Sequence, residues 1–398
     1  MRLFNTQTGQ KEKFSASSGT VGIYVCGITP YDTTHVGHAF TFLTFDILVR
    51  YLRYVDYNVT YVQNVTDIDD DILRKAKELG VGWDELGRSE TEKFLRDMRD
   101  LNAVEFDHYT RATEHIPAMV AMIEKLVESG NAYEANRSVY FDVNTDPEFG
   151  KLSHIPREEM LPIANERGNR PDDPNKRNPL DFVLWQASTS GEPSWPSPWG
   201  GGRPGWHIEC STMSMEYLGQ TLDIHGGGYD LVFPHHECEI AQSEFATGVK
   251  PFVRYWVHNG MVEYQGEKMS KSLGNLVLVR DALETYSADA LRLYMFSHHY
   301  RSAWEYREEE MDEWVRLAYD IREAVDFPAY GIEQEVDVSI FNERFFNALE
   351  DDLDTTSAIE SLKEIASAIL QAPEEDDVRE AQVTLRELAD ILGLSLSS

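Results

Sequence analysis

The stretch VGIYVCGITPYDTTHVGH, residues 21–38, decides the fold. Residues 21–28 are apolar and rich in β-branched side chains, which predicts a buried strand that leads through a loop into a helix near 36–54. Further elements are predicted downstream: a strand at 58–65 and helices at about 69–80, 88–102 and 115–130. Strands that alternate with helices predict a doubly wound parallel sheet of the α/β class. Such sheets bind ligands where strand C-termini meet helix N-termini.

After the predicted sheet, the sequence pattern becomes first polar and loop-like and then helical. A strand is predicted at 137–143, and the polar, proline-rich residues 144–180 predict an insertion or loop. Residues 191–206 combine proline, tryptophan and glycine, which predicts a structured surface loop. From about residue 281 the pattern becomes helical and acidic, and it predicts a helical domain.

The composition is strongly acidic, with 36 basic against 69 acidic residues and a formal net charge of −33. A positively charged partner is one interpretation; we favour adaptation to a salty cytoplasm, because net charge concerns solubility rather than fold. Cys26, Cys210 and Cys238 are too few and too scattered for a disulfide framework. With no signal-peptide core and no apolar run of about 20 residues, the sequence predicts a soluble cytoplasmic protein.

Two short motifs predict a site for ATP. HVGH at 35–38 follows the first strand and places two imidazoles at a helix N-terminus, where anions are favoured, with Gly37 leaving room for a ligand. KMSKS at 268–272 carries two lysines that can reach a polyphosphate from a small-residue loop. Either motif alone is also typical of an ordinary turn. Together they predict adenylation of a carboxylate, which needs positioning and electrostatics rather than a base. The candidate catalytic residues are His35, His38, Lys268 and Lys271.

A third element, DIHGGGYD at 223–230, supports the nucleotide site. Its glycine amides can lie against an adenosine, and Asp230 can accept hydrogen bonds from the ribose, although a glycine triplet is also typical of a turn. Mg²⁺ is expected to accompany ATP. The candidate nucleotide-binding residues are Thr34, Gly37, Gly226, Gly227, Gly228 and Asp230.

Two cysteines, a histidine and a glutamate predict a zinc site. Cys26 ends the first strand, and His235 and Glu239 are four apart, on one face of a predicted helix. With Cys210 they can form a tetrahedral site for one zinc ion per chain. A displaceable ligand would admit a substrate thiolate, which distinguishes cysteine from serine better than pocket size does. The cysteines can also be buried apolar residues, and Cys238 can face either the metal or the core.

These residues stand in runs that resemble cysteinyl-tRNA synthetase and, equally, the mycothiol cysteine ligase, two branches of the class I aminoacyl-tRNA synthetase superfamily. The resemblance covers roughly residues 20–395. It implies a Rossmann-like catalytic domain over 1–280, with an insertion at about 100–200, and an all-helical domain over 281–398. It also implies zinc at the four residues above and Trp206 near the bound cysteine. The runs are VCGITPYDTTHVGH, YVQNVTDIDD, NPLDFVLWQAS, GEPSWPSPWGGGRPGWHIECS, DIHGGGYDLVFPHHECE and EKMSKSLGN.

The acceptor of the cysteinyl group separates the two branches. The predicted helical domain ends at about Leu394, so we expect no further anticodon-reading segment like that of cysteinyl-tRNA synthetases. The acidic residues 305–313 and 374–377 do not suit phosphate contacts. Both features favour the mycothiol ligase, whereas Glu239 and KRNPLDFVLW at 176–185 favour the tRNA enzyme.

We therefore predict an ATP-dependent, AMP-forming cysteine ligase that acts on the amine of a small molecule, in the biosynthesis of a low-molecular-weight thiol. The first alternative is a compact cysteinyl-tRNA synthetase that charges tRNA-Cys. The second is an inactive regulatory paralogue. The oligomeric state stays open, a monomer included.

Overall fold

A computed structural model describes residues 1–16, 19–32, 34–269 and 274–396. Its strands are β1 (Arg2–Asn5), β2 (Gln10–Lys13), β3 (Thr20–Ile28), β4 (Asn58–Val65), β5 (His108–Arg111), β6 (Ala132–Ala135), β7 (Ser138–Phe141), β8 (Phe182–Ala187), β9 (Gly202–Pro204), β10 (Leu222–Gly228), β11 (Val253–Asn259), β12 (Val262–Tyr264), β13 (Glu267–Lys268) and β14 (Trp304–Glu305). Its helices are α1 (Val36–Tyr54), α2 (Asp70–Leu79), α3 (Trp83–Asp100), α4 (Ile116–Glu128), α5 (Arg157–Glu166), α6 (Trp206–Leu218), α7 (Glu237–Thr247), α8 (Val279–Thr285), α9 (Ala288–Phe296), α10 (Met311–Val325), α11 (Ser339–Glu350), α12 (Thr355–Leu370) and α13 (Arg379–Ile391).

The centre of the molecule is a five-stranded sheet in the order β11-β10-β3-β4-β5, in which every neighbouring pair is parallel. The chain starts in the middle of this sheet at β3, moves to one edge through β4 and β5, and later returns to the other side of β3 through β10 and β11. The strand order therefore reverses between β3 and β10, which is where open parallel sheets bind ligands. The predicted α/β class is confirmed.

Helices cover both faces of the sheet, which explains why its strands are apolar on both faces. α1 buries Phe40, Leu43 and Phe45 against one face. On the other face, Ile208 and Met213 of α6 pack with residues of α4 and α7. The carboxyl ends of the strands stay open between these two layers.

Between β5 and β10 the chain forms a second, antiparallel sheet in the order β6-β7-β8-β9. β7 matches the strand predicted at 137–143, but α5 lies in the segment read as polar loop, and β9 lies in the segment read as surface loop. Gly202 explains the second difference. A Cβ there would lie 2.3 Å from Nε1 of Trp185, so only glycine permits this close pairing of β9 with β8. The glycine and proline residues of β9 are typical of a loop, although β9 pairs with β8.

After α8 the chain is mainly helical, from α9 to α13, and the predicted helical C-terminal region is confirmed. One exception is β14, which pairs with β12. The division of the chain near residue 280 stays a prediction. In the part of the chain that the structure describes, no helix combines the length and the apolarity needed to cross a membrane.

Candidate active site

The ends of β3 and β10 border a cavity of about 730 Å³ at the point where the strand order reverses. Cys26 and Gly228 come from these strand ends, and His35, Gly37 and His38 come from the loop and first turn after β3. We call it the HVGH cavity. The sequence therefore folds its first motif onto the edge where a parallel sheet binds ligands.

The two histidines of the first motif face this cavity as a pair. Their rings stack with centroids 3.8 Å apart. His35 is the residue before α1, and His38 lies in its first turn, so both rings lie at the positive end of the helix dipole. Thr34 is buried in the segment just before them and does not line the cavity. The arrangement suits the phosphates of a nucleotide.

The segment that follows the second motif along the chain pairs with the segment that holds the first motif. Amide Val36 donates to the carbonyl of Val277 at 2.9 Å, and amide Val279 donates to the carbonyl of Thr34 at 3.1 Å. Met269 is buried in the wall of the HVGH cavity. The side chain of Lys268 and the whole of Lys271 lie outside the described part of the chain, so their predicted contact with ATP stays a prediction.

The glycine triplet occupies the end of β10, but its members differ in surroundings. A Cβ at Gly226 would lie 2.0 Å from the ring of Phe45 on α1, so this glycine allows helix and sheet to pack. A Cβ at Gly227 would lie 2.8 Å from Leu231. Gly228 and Asp230 line the HVGH cavity, whereas Gly226 and Gly227 do not. Close packing therefore requires glycine at 226 and 227, a role that the sequence motif did not indicate.

The four predicted metal ligands converge in the structure, although two of them are 184 positions apart. Sγ of Cys26 lies 3.6 Å from Sγ of Cys210 and 3.5 Å from Nε2 of His235. Oε1 of Glu239 lies 3.6 Å from Sγ of Cys26 and 3.0 Å from Nε2 of His235. All four side chains are buried. We call these residues the metal quartet.

The distances within the quartet suit tetrahedral zinc. Zn–S bonds of about 2.3 Å and Zn–N or Zn–O bonds of about 2.0–2.1 Å place ligand atoms roughly 3.3–3.8 Å apart at tetrahedral angles. The three distances from Sγ of Cys26 fall within this range. The distance of 3.0 Å from Nε2 of His235 to Oε1 of Glu239 is slightly shorter. Two sulfurs, an imidazole and a carboxylate are also a donor set that zinc accepts.

Electrostatics inside the quartet favour a bound cation. Burial tends to raise the pKa of Glu239, but the charges of His225 and His235 and their hydrogen bonds lower it to about 2. Burial also tends to raise the pKa of Cys210, but the hydrogen bond with Cys26 and the charge of His235 lower it to about 6. The carboxylate of Glu239 and the thiolate of Cys210 therefore lie in one buried space. A metal ion bound there would take the place of the protons that these groups give up.

Further histidines surround the quartet, of which His225 and His236 are buried and His207 is partly buried, and the sequence interpretation did not single them out. Nδ1 of His235 lies 2.8 Å from Nδ1 of His207, and Nε2 of His225 lies 3.0 Å from Oε2 of Glu239. His225 and His236 also form a second possible metal group with Cys26 and Glu239. Burial holds the pKa of His236 well below its usual range, so this imidazole stays neutral. The doubled histidine in FPHHEC was the available sequence signal.

Trp206 and Cys238 are the remaining residues that the sequence analysis assigned to the site for cysteine and zinc. Trp206 is the first residue of α6, and its ring stacks on that of His235 with centroids 4.2 Å apart. It borders the HVGH cavity and also a neighbouring one of about 910 Å³. Cys238 faces that neighbouring cavity and belongs to neither possible metal group of the described residues.

Comparison with known families agrees with the fold. Residues 13–316 match the family "tRNA synthetases class I (C) catalytic domain", and residues 344–397 match the DALR domain. Among solved structures, methionyl-tRNA synthetase of Mycobacterium tuberculosis, in complex with methionyl-adenylate, superposes with a TM-score of 0.67 over 94% of this chain and 89% of that chain, at 16% identity. At that identity the likeness shows the fold alone.

Curated relatives are much closer in sequence. A cysteine–tRNA ligase of Dehalococcoides mccartyi is 46% identical over 100% of this chain and 86% of its own length. A cysteine–tRNA ligase of Legionella pneumophila is 45% identical over 99% of this chain and 85% of its own length. One of Idiomarina loihiensis is 46% identical over 99% of this chain and 86% of its own length.

The comparisons overturn the prediction of a small-molecule amine acceptor. The near-full-length relatives carry the name cysteine–tRNA ligase, and membership of the mycothiol ligase branch is not supported. The prediction relied on the end of the chain and on acidic stretches such as 305–313. Charge counted along a helical region does not locate the surface that meets an acceptor.

The prediction of an ATP-dependent ligase is confirmed, because the catalytic-domain family and the near-full-length relatives agree on it. The family match covers three quarters of the chain, and the relatives align with almost all of it. The chain therefore belongs to the cysteine–tRNA ligase family of class I tRNA synthetases.

Proposed function

We propose that the protein activates cysteine with ATP and transfers the cysteinyl group to tRNA-Cys. The observation that carries this proposal is the position of Cys26. Its thiol belongs to the metal quartet, and the same residue lines the HVGH cavity. A cysteine bound at the quartet would thus place its carboxylate beside His35 and His38. The name cysteine–tRNA ligase of the near-full-length relatives supports tRNA-Cys as the acceptor.

In the first step, a carboxylate oxygen of cysteine forms a bond to the α-phosphorus of ATP. The bond from that phosphorus to the bridging oxygen breaks, and pyrophosphate leaves with the electron pair. The carboxylate is already a nucleophile, so positioning and charge stabilisation supply most of the rate. His35 and His38, at the N-terminus of α1 and in the wall of the HVGH cavity, would hold the phosphates. Mg²⁺ would bind with the ATP phosphates.

Selection of cysteine would depend on the metal quartet. Cys26, Cys210, His235 and Glu239 would hold a zinc ion, which would supply a Lewis acid that favours a thiolate over the hydroxyl of serine. Trp206, stacked on His235, covers one side of the place where the substrate side chain would lie. A pocket that measured size alone would separate cysteine from serine poorly.

In the second step, a ribose hydroxyl of the tRNA attacks the carbonyl carbon of cysteinyl-AMP. The new ester C–O bond forms, the bond to the AMP oxygen breaks, and the hydroxyl proton passes to the departing phosphate or to water. AMP leaves from the HVGH cavity. No described residue is required to form a covalent bond with the cysteinyl group.

The proposal is tested by two assays on the zinc-loaded protein. Cysteine-dependent exchange of pyrophosphate into ATP is expected, with far lower exchange when serine replaces cysteine. Charging of tRNA-Cys with labelled cysteine is expected, and charging of an unrelated tRNA is not. Exchange without charging of tRNA-Cys at any salt concentration would refute the acceptor, and equal exchange with serine would refute the role of the quartet.

A further inference from the structure

Helix α2 forms part of the wall of the HVGH cavity, and the sequence interpretation assigned it no role in the site. Asp71, Arg74 and Lys75 line the cavity. Residues three and four apart lie on one side of a helix, so these three side chains belong to the same side of α2. Ile72 and Ala76 are the buried residues of this helix. Their burial fixes the rotation of α2, and with it the position of Lys75 at the cavity.

Lys75 differs from its neighbour Arg74 in its partners. The guanidinium of Arg74 pairs with Asp71 at 2.9 Å and with Glu78 at 3.0 Å. Among the residues that the structure describes, Nζ of Lys75 has neither a hydrogen bond nor an ion pair, and the side chain is half-buried. Its ammonium group can therefore pair with an anion in the cavity without giving up an existing partner.

The cavity wall carries carboxylates as well as cations. Asp32, Asp71 and Asp230 line it, and the charge of Asp71 is offset by Arg74. Asp32 lies in the loop after β3 and Asp230 in the turn after β10, and within the described part of the chain neither forms an ion pair with Lys75. A polyphosphate that binds beside acidic groups gains most from a cation that no carboxylate already neutralises. Lys75 is such a cation.

The order of the strands places Lys75 on the side of the cavity away from β10. In the sheet, β3 lies between β10 and β4. Gly228 and Asp230, which are predicted to bind adenosine, lie at the end of β10, whereas α2 follows β4. Cysteine would bind at the end of β3, where Cys26 lies. A nucleotide with its adenosine at β10 and its α-phosphorus at the end of β3 would extend its β- and γ-phosphates toward α2.

The β- and γ-phosphates are the group that leaves during activation. When a carboxylate oxygen of cysteine bonds to the α-phosphorus, the bond to the bridging oxygen breaks, and its electron pair departs with pyrophosphate. Negative charge therefore grows on the pyrophosphate in the transition state. A cation positioned there lowers the barrier, because its attraction to the leaving group increases as the bond breaks.

We propose that Lys75 is a catalytic residue of cysteine activation, which binds the β- and γ-phosphates of ATP and stabilises the departing pyrophosphate. This inference rests on the proposed function. It adds a cation from α2 to His35 and His38 at the start of α1. The ammonium group keeps its protons throughout, so Lys75 acts by charge and hydrogen bonding alone.

Lys75→Ala is the direct test, because it removes the ammonium group and introduces a residue that suits a helix. kcat for cysteine-dependent pyrophosphate exchange is expected to fall roughly 10- to 100-fold, as is typical when one charge-assisted hydrogen bond is lost. KM for cysteine is expected to stay within about twofold, since Lys75 does not belong to the metal quartet. Lys75→Arg keeps the charge and is expected to recover most of the rate.

Lys77→Ala is the matched control. Lys77 lies two residues further along α2, is exposed and does not line the cavity. The variant removes the same charge from the same helix, so kcat for exchange is expected to change by less than about twofold. An equal loss in the two variants would show only a general charge effect and would overturn the proposal.

Binding and transfer measurements separate the leaving group from the rest of the nucleotide. In calorimetry, Lys75→Ala is expected to bind ATP at least about threefold more weakly than the wild-type protein does. It is expected to bind AMP equally well, because AMP lacks the β- and γ-phosphates. Transfer from preformed cysteinyl-AMP to tRNA-Cys in a single turnover is also expected to be unchanged, because pyrophosphate has already left.

Unchanged kcat for exchange in Lys75→Ala, an equal loss of affinity for ATP and AMP, or a slower transfer step would each overturn the inference. Absence of exchange in the wild-type protein would instead refute the proposed function.

Discussion

Replacing Arg292 with methionine is expected to destabilise the protein while leaving the active site intact. Arg292 lies on α9 and is fully buried, and it donates to the carbonyls of Leu101 and Leu392, each at 2.9 Å. It also donates to the carboxylate of Asp46 in the middle of α1. Methionine keeps much of the side-chain volume but removes the charge and these donors.

The size of the expected destabilisation follows from the partners that Asp46 keeps after the substitution. Asp46 is 1% exposed, and without Arg292 it keeps an ion pair with Arg50 at 3.1 Å and a hydrogen bond from the amide of Val104 at 2.7 Å. Removing one partner of a buried pair typically costs about 3–5 kcal/mol. Because Arg50 still offsets part of the charge, we expect a loss near 3 kcal/mol.

The assay is the free energy of unfolding in urea, compared with that of Arg344→Met. Arg344 pairs with Glu364 at 2.6 Å, but both side chains are largely exposed, and such pairs contribute about 1 kcal/mol or less. Pyrophosphate exchange by the folded Arg292→Met protein is expected to match the wild type at low temperature. A loss below about 1 kcal/mol, or one no larger than that of Arg344→Met, would refute the reasoning.

Three further predictions concern the active site. Cys210→Ala is expected to lose bound zinc and cysteine-dependent exchange while keeping its circular dichroism spectrum; full zinc content by elemental analysis would contradict its assignment as a ligand. A chelator is expected to abolish exchange and added zinc to restore it, so exchange by metal-free protein would argue against the quartet. Arg280→Met removes a contact of 3.1 Å to the buried Asp97, beside the backbone pairing of residues 34–36 with 277–279. We expect kcat for exchange to fall roughly tenfold, about 1.4 kcal/mol, with KM for cysteine unchanged; unchanged kcat would show that the contact does not position the two motifs.

The identity of the acceptor is the part of the function that charge counts along the sequence predict wrongly. The sequence interpretation used the acidic residues of the C-terminal helices, and it predicted a small amine. The charge that an acceptor meets is set by which side chains lie near one another in space, and composition does not contain that information.

The metal quartet could be predicted in part. His235 and Glu239 are four apart, and one helical turn brings positions i and i+4 to the same face. Cys238 is an alternative from the sequence because it lies one residue from Glu239 and three from His235. The structure turns it toward the cavity of about 910 Å³ instead. A rotation of about 100° per residue along α7 separates neighbours that the sequence places side by side.

The sequence by itself determined the alternation of strands and helices, the two motifs for ATP and the types of side chain that suit zinc. These are local properties, since backbone periodicity and donor chemistry depend on residues close together in the chain. Only the tertiary structure decided that Cys26 and Cys210 meet and that Gly226 packs on Phe45. These depend on how distant segments pack against one sheet, because packing fixes distances that sequence separation does not.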